Sequence, residues 1–150
     1  MVSEKDLKII SHLRQNARMP LTKMSRKTGI PVSTIFDRLK INEKELITKH
    51  VTLIDFSKLG YNTRATIIVR VHRDDKDALK EHLIKDMSVN SVYRINNGYD
   101  YMIEGVFRHV KDMEDFLDRL EIRFRIEEKK AHYIIEDLKK EGFMSNPNLL

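Results

Sequence analysis

No cysteine occurs in the 150 residues, which excludes disulfides and thiolate metal sites and gives no support to secretion. No apolar run approaches the ~20 residues that a membrane helix needs. The N-terminus is polar rather than signal-like, so a soluble cytoplasmic protein with no membrane partner is expected. Internal repeats and low-complexity tracts are also missing. The six histidines, at positions 12, 50, 72, 82, 109 and 132, show no i, i+4 pairing and have no cysteine partners, so neither a metal nor a cofactor is expected. The acidic pairs Asp74-Asp75 and Glu127-Glu128 sit at element ends and read as solvated rather than catalytic.

What is present is apolar material for a core, 41% of residues, beside an unusually large charged fraction of 34%. The positive charge is concentrated. Residues 1–50 hold eleven Lys or Arg against five acids, a surplus of six, whereas the other hundred hold seventeen against eighteen. A basic third of a chain suits docking on phosphates.

The order of elements follows from periodicity. Ser3 with Asp6 has the spacing of a capping box, and Leu7, Ile10 and Leu13 then recur at helical intervals, predicting a helix over about 4–16. A short helix over 22–28 with Met24 inward ends at Gly29, a residue suited to a left-handed cap. A third helix starting near Pro31 turns Val32, Ile35 and Leu39 to one face. Residues 51–54 look like a strand. Beyond the turn at Gly60, alternating residues 65–72 predict a strand, 74–87 a helix, 89–95 and 99–107 two strands around Asn96-Asn-Gly98, 110–120 a helix, and 130–137 a last strand. The order β-α-β-β-α-β is the ferredoxin-like pattern. The fold class expected is therefore α+β: a three-helix, winged helix-turn-helix over 1–46, a linker over 47–62, a ferredoxin-like domain over 63–140 and a tail over 141–150. Ile68 and Val106 alternate away from Ile67, Val69, Ile103 and Phe107, so the sheet face not covered by helices keeps apolar character and asks for a second copy.

In a helix-turn-helix the last helix enters the major groove and offers its outward residues to base edges. Those residues are Ser33, Thr34, Phe36, Asp37, Arg38 and Lys40, and Thr22 and Lys23 complete the candidate DNA-contact set. Arg38 can grip guanine or a phosphate, or be a solvated helix residue. Phe36 can touch a thymine methyl, or pack beneath a neighbouring helix.

Across nearly its whole length, in register, the chain resembles the Lrp/AsnC, or feast/famine, transcriptional regulators. The resemblance is carried by Asp6-Leu-Lys-Ile-Ile10 with Leu13 and Arg18, Leu21-Thr-Lys-Met-Ser25, Thr28-Gly-Ile30, Ser33-Thr-Ile-Phe-Asp-Arg-Leu39, Leu46-Ile47, Ile54-Asp55 and Leu59-Gly-Tyr61. It implies a regulator of double-stranded DNA acting as a homodimer or a higher oligomer such as an octamer, with an amino acid or other small metabolite as effector. The chain departs from the family in having Glu45 where a Gly usually precedes the Leu46-Ile47 pair.

The resemblance also implies an effector turn at Asn97, Gly98, Tyr99 and Asp100, with Asn97 in place of the usual Gly. Lys129 and Ala131 stand where hydroxyl residues are common early in the last strand. Amino acids are therefore expected to bind weakly, and a carboxylate-rich metabolite would suit Lys129 better. Two other readings share features with this one. An architectural protein that compacts DNA differs only in specificity. A tetrapyrrole decarboxylase, an enzyme of similar architecture, would aim Arg70, His72 and His132 at a macrocycle, but it has little need of a basic reader.

Overall fold

Ser3 ends the extended N-terminus and starts α1 (Glu4–Gln15) by a reciprocal cap. Its hydroxyl accepts the Asp6 N–H at 3.2 Å, and the Asp6 carboxylate accepts the Ser3 N–H at 2.8 Å, so two of the unpaired donors of a helix start are satisfied together. The second helix, α2 (Leu21–Thr28), stops at Gly29, whose φ of 73° is the left-handed conformation that costs a β-carbon-free residue least. The third, α3 (Val32–Glu45), takes Pro31 as its N-cap rather than as a helical residue. Ile9, Met19, Met24, Ile30 and Ile35 form the core of this bundle, with Leu13 and Leu21 against it.

The computed structural model describes residues 1–150, and they divide into two units, Met1–Leu53 with Asp137–Leu150, and Ile54–Glu136. Several expectations for the first unit change. Val32 is 40% exposed rather than inward: it shares the stripe of Ile35 and Asn42 but is the first residue of the helix, ahead of its buried positions. The helix ends at Leu46 with φ −125°, and Glu45, where the family resemblance implies a Gly, is not among the left-handed residues. The strand expected at 51–54 does not form, and no strand that could serve as a wing occurs among the elements before β1. A strand needs a ladder partner, the unit contains no other strand, and Val51, Leu53 and Ile54 stand exposed. The last residues are not a detached tail. Arg14 of α1 donates from Nε to the Phe143 carbonyl and from Nη2 to the Glu141 carbonyl, both at 3.0 Å, and from Nη1 to the Glu141 carboxylate at 3.3 Å.

The second unit strings β1 (Thr63–Val71), α4 (Lys76–Lys85), β2 (Val89–Arg94), β3 (Tyr101–Phe107), α5 (Val110–Arg123) and β4 (Ile126–Tyr133) into one antiparallel sheet of order β2-β3-β1-β4. This is the ferredoxin-like arrangement. Every second residue of β1 and β3 is buried, and these rows meet Leu79 and Leu83 of α4 and Met113, Phe116, Leu117 and Leu120 of α5. The last strand begins four residues earlier than expected. It is an edge strand with a mostly exposed, charged face, so only Ile126, next to buried Phe124, marks its start. On the opposite face, Ile68, Met102 and Val106 lie half-exposed between the ion pairs Arg64–Glu104 (3.7 Å) and Arg70–Glu128 (3.2 Å). No helix is long and apolar enough to cross a membrane.

Candidate nucleic-acid interface and effector turn

The outer side of α3 carries most of the expected reader residues. Ser33, Phe36, Asp37 and Lys40 are exposed and Thr34 is half-buried, while Thr22 and Lys23 are exposed at the start of α2. Phe36 is 47% exposed, with the Lys40 ammonium 4.3 Å from its ring centroid, so it does not pack under a neighbouring helix. Burying the Lys40 stem along the ring holds both side chains on the outer surface.

Arg38 does something else. Its Nε donates to Asp6 Oδ1 at 2.8 Å and its Nη2 to the other carboxylate oxygen, forming a two-pronged bond between α3 and α1. Asn42 donates to Asp6 Oδ1 at 3.0 Å and the Ser3 hydroxyl to Oδ2 at 2.6 Å. Asp6 is fully buried and has five donors around it. The Arg38 guanidinium above all, then Ser3 and Asn42, hold its carboxyl far below the usual carboxylate range against the opposing effect of burial. The same contact raises Arg38. Arg38, expected on the outward set, is thus engaged inward as a bolt between α3 and α1. Its partners Asp6 and Asn42 were missed as functional residues. The signal was available: both polar residues fall on otherwise apolar helical stripes, Asp6 with Ile9 and Leu13, Asn42 with Ile35 and Leu39.

His12 lies in the same unit, 7% exposed, with no partner for Nδ1. Burial, and next the charge of Lys27, lower its pKa from an ordinary value of 6.5. A depressed folded-state pKa gives stability that is complete above about pH 6.5 and is lost as pH falls through the folded value. Thermal melts should therefore show the N-terminal unit weakening between pH 7 and 5, and His12→Gln should flatten that slope. An unchanged slope in the variant would assign the loss to another group.

At the hairpin, Asn97 has φ 65° and Gly98 φ 90°, so Asn97 does adopt the left-handed conformation expected of it. The Asp100 carboxylate is occupied: Oδ2 accepts the Val71 N–H at 2.9 Å and Oδ1 meets the Lys76 ammonium at 3.1 Å. The Tyr99 hydroxyl donates to Glu128 at 2.9 Å. Lys129 is not brought to this turn. It pairs across β1 with Val69, so its side chain lies on the helix-covered face, and its ammonium is bonded to Glu121 of α5. Neighbouring residues of a strand point to opposite faces, so the pairing of Lys129 with buried Val69 and of Lys130 with Ile68 puts the two lysines on opposite sides of the sheet. Lys130, near the Tyr99 ring at 5.7 Å, is the lysine on the turn's side.

Comparison with known proteins agrees with this geometry. Residues 2–41 match the AsnC-type helix-turn-helix domain and residues 64–143 the Lrp/AsnC ligand binding domain. The chain belongs to the Lrp/AsnC family and is a transcriptional regulator of that type. It is 31% identical over 118 residues to the HTH-type transcriptional regulator FL11 of Pyrococcus horikoshii, covering 78% of each protein. It is 25% identical over 147 residues to an uncharacterized HTH-type transcriptional regulator of Pyrococcus furiosus, covering 97% of this chain and 99% of the relative. Among solved structures, LrpC of B. subtilis superposes with a TM-score of 0.84 at 20% identity, over 93% of this chain and 98% of that one. A transcriptional regulator of Neisseria meningitidis in complex with L-methionine superposes with a TM-score of 0.85 at 17% identity, over 93% and 94%.

Proposed function

We propose that two copies of this chain bind a pseudo-palindromic DNA site as a homodimer. Each α3 lies in the major groove with Ser33, Thr34, Phe36, Asp37 and Lys40 toward base edges, and Thr22 and Lys23 lie against the backbone. The observation that carries this reading is the division of α3 into two sides. Its inner side is bolted to α1 through Arg38, and its outer side is exposed and holds Phe36 against Lys40. The surplus of six positive charges in residues 1–50 supports the same surface. The half-exposed apolar face of the sheet supports pairing with a second copy, and assembly of dimers into larger rings is compatible with it.

Selection of bound sequences from a random duplex pool tests the proposal, the expected product being a site with two-fold symmetry. Phe36→Ala should then lose about 1–3 kcal/mol of discrimination at one position per half-site, the ordinary cost of a mismatched base pair. Lys23→Ala should weaken all duplexes alike and reduce the slope of log affinity against log salt by about 0.9 per phosphate contact. A pool that yields no consensus would favour the architectural reading. The tetrapyrrole reading has less support, since Arg70 is held by Glu127 and Glu128, His72 accepts the Asp74 N–H at 3.2 Å, and the relatives are named as transcriptional regulators. Within this function, the C-terminal domain is the element that answers to a small metabolite.

A further inference from the structure

One side of the second unit carries charge that the fold itself leaves unpaired. A groove of about 280 Å³ runs between α4 and the β2 edge of the sheet. Lys76, Lys80 and Ile84 recur every fourth residue along α4 and form one wall. Val92 and Arg94, two apart on β2, form the other. The floor is Tyr101, only 6% exposed, whose hydroxyl donates to the Lys76 carbonyl at 3.0 Å.

Arg94 is exposed, but its place in the sheet sets it apart from an ordinary surface arginine. In the β2–β3 register it lies opposite buried Tyr101, and it continues the row of Val92, which packs against the core. The row that elsewhere delivers apolar side chains to the helices therefore ends in a guanidinium, facing two lysines. Of these three cations Lys76 is already spent on Asp100, itself tied to the end of β1. Lys80 and Arg94 have no ion pair within the chain, and Asp77 is the remaining acid on the groove. Two exposed cations without an ion pair, on the two walls of one groove and above an aromatic floor, are complementary to two carboxylates on a short carbon chain. The volume falls below the roughly 300–1,000 Å³ of drug-sized sites, which restricts the occupant to a small molecule.

We propose that this groove binds a small dicarboxylate, with one carboxylate on Lys80 and the other on Arg94, whose guanidinium can take it in a two-pronged fashion. The proposal rests on the reading of the C-terminal domain as metabolite-responsive, and it adds a site in the α4–β2 groove, separate from the 97–100 turn. It also ties the ligand to the sheet, because Lys76 links the same wall to Asp100 and through it to β1.

The test is calorimetric titration of the full-length protein with succinate, glutarate, aspartate and glutamate, with propionate and alanine as single-carboxylate controls. At least one dicarboxylate should bind with a sub-millimolar Kd. The singly charged controls should be at least tenfold weaker. Lys80→Ala and Arg94→Ala should each cost tenfold or more, Arg94→Lys should recover part of the loss, and Lys111→Ala on α5 should change nothing. A preference for aspartate or glutamate over the plain diacids supports the proposal and assigns the source to amino acids through Asp77. The reverse preference supports it and assigns the source to organic acids. The proposal is overturned if no dicarboxylate binds up to 10 mM, if the controls bind equally well, or if binding survives both alanine variants. Melting curves and DNA affinity without ligand, measured on the same variants, separate misfolding from loss of the site. They also leave the DNA-binding reading standing or falling independently.

Discussion

Replacing Arg38 with alanine should weaken binding to matched and mismatched duplexes to the same extent, and lower the melting temperature of the N-terminal unit by about 10 °C or more. The reason lies beneath the reading surface. Asp6 is fully buried and its carboxylate is held ionised chiefly by this one guanidinium. Without it a buried negative charge keeps only the Ser3 and Asn42 donors, and breaking one side of a buried pair costs far more than the intact pair contributes. The orientation of α3 against α1 is lost along with the stability, so all sequences suffer alike. Arg38→Lys should recover little, since a single ammonium cannot reproduce both prongs. The linkage has a definite sign. The Asp6 pKa is lowered in the folded state, so its contribution is present above an unfolded value near 3.8 and is lost as pH falls below it. Binding curves on matched and mismatched duplexes, together with thermal melts, check this. A loss confined to the matched duplex, with an unchanged melt, would return Arg38 to the base-contacting set.

In the proposed sheet-to-sheet homodimer, Ile68→Asp should raise the dissociation constant by at least about 100-fold, equivalent to about 2.7 kcal/mol. Ile68 is central in β1, half-exposed, and opposite Met102 on β3 and Lys130 on β4. A carboxylate there is solvated in the separated chain and desolvated without an adequate partner when two sheets meet, which costs several kcal/mol. Because the side chain is not part of the core beneath the helices, the variant should still fold. Sedimentation of wild type and variant decides the point, and affinity for the two-fold site should fall together with dimer content. An unchanged dimer would place the interface on another surface.

The parts of this molecule legible in the sequence are those governed by local chemistry. The Ser3–Asp6 cap, the left-handed Gly29 and the alternation in β1 and β3 each follow from the chain within a few residues. The buried rows of the sheet were legible for the same reason. Long-range partners were not. Nothing near Arg38 in sequence says that Asp6, thirty-two positions earlier, lies beneath it. The start of β4 was hidden because a charged edge strand shows no alternation, and nothing local showed that Lys129 pairs with Val69 and so points away from the turn it was expected to serve. The strand expected at 51–54 failed for the opposite reason: its composition suits a strand, but composition does not supply a neighbour.

The return of residues 141 and 143 to α1 has a consequence for how the protein is made. A ribosome emits α1 to α3 before the ferredoxin-like unit, yet the three acceptors of Arg14 lie beyond that unit, at Glu141 and Phe143. At about 5–20 residues per second, on the order of ten seconds pass between synthesis of Arg14 and synthesis of its partners. The ferredoxin-like unit, wholly contained in Ile54–Glu136, is translated in that interval and can close first. The helical unit is thus begun before the ferredoxin-like unit and completed after it, and a cleavage between the two units' segments near residue 137 leaves it without the acceptors of Arg14.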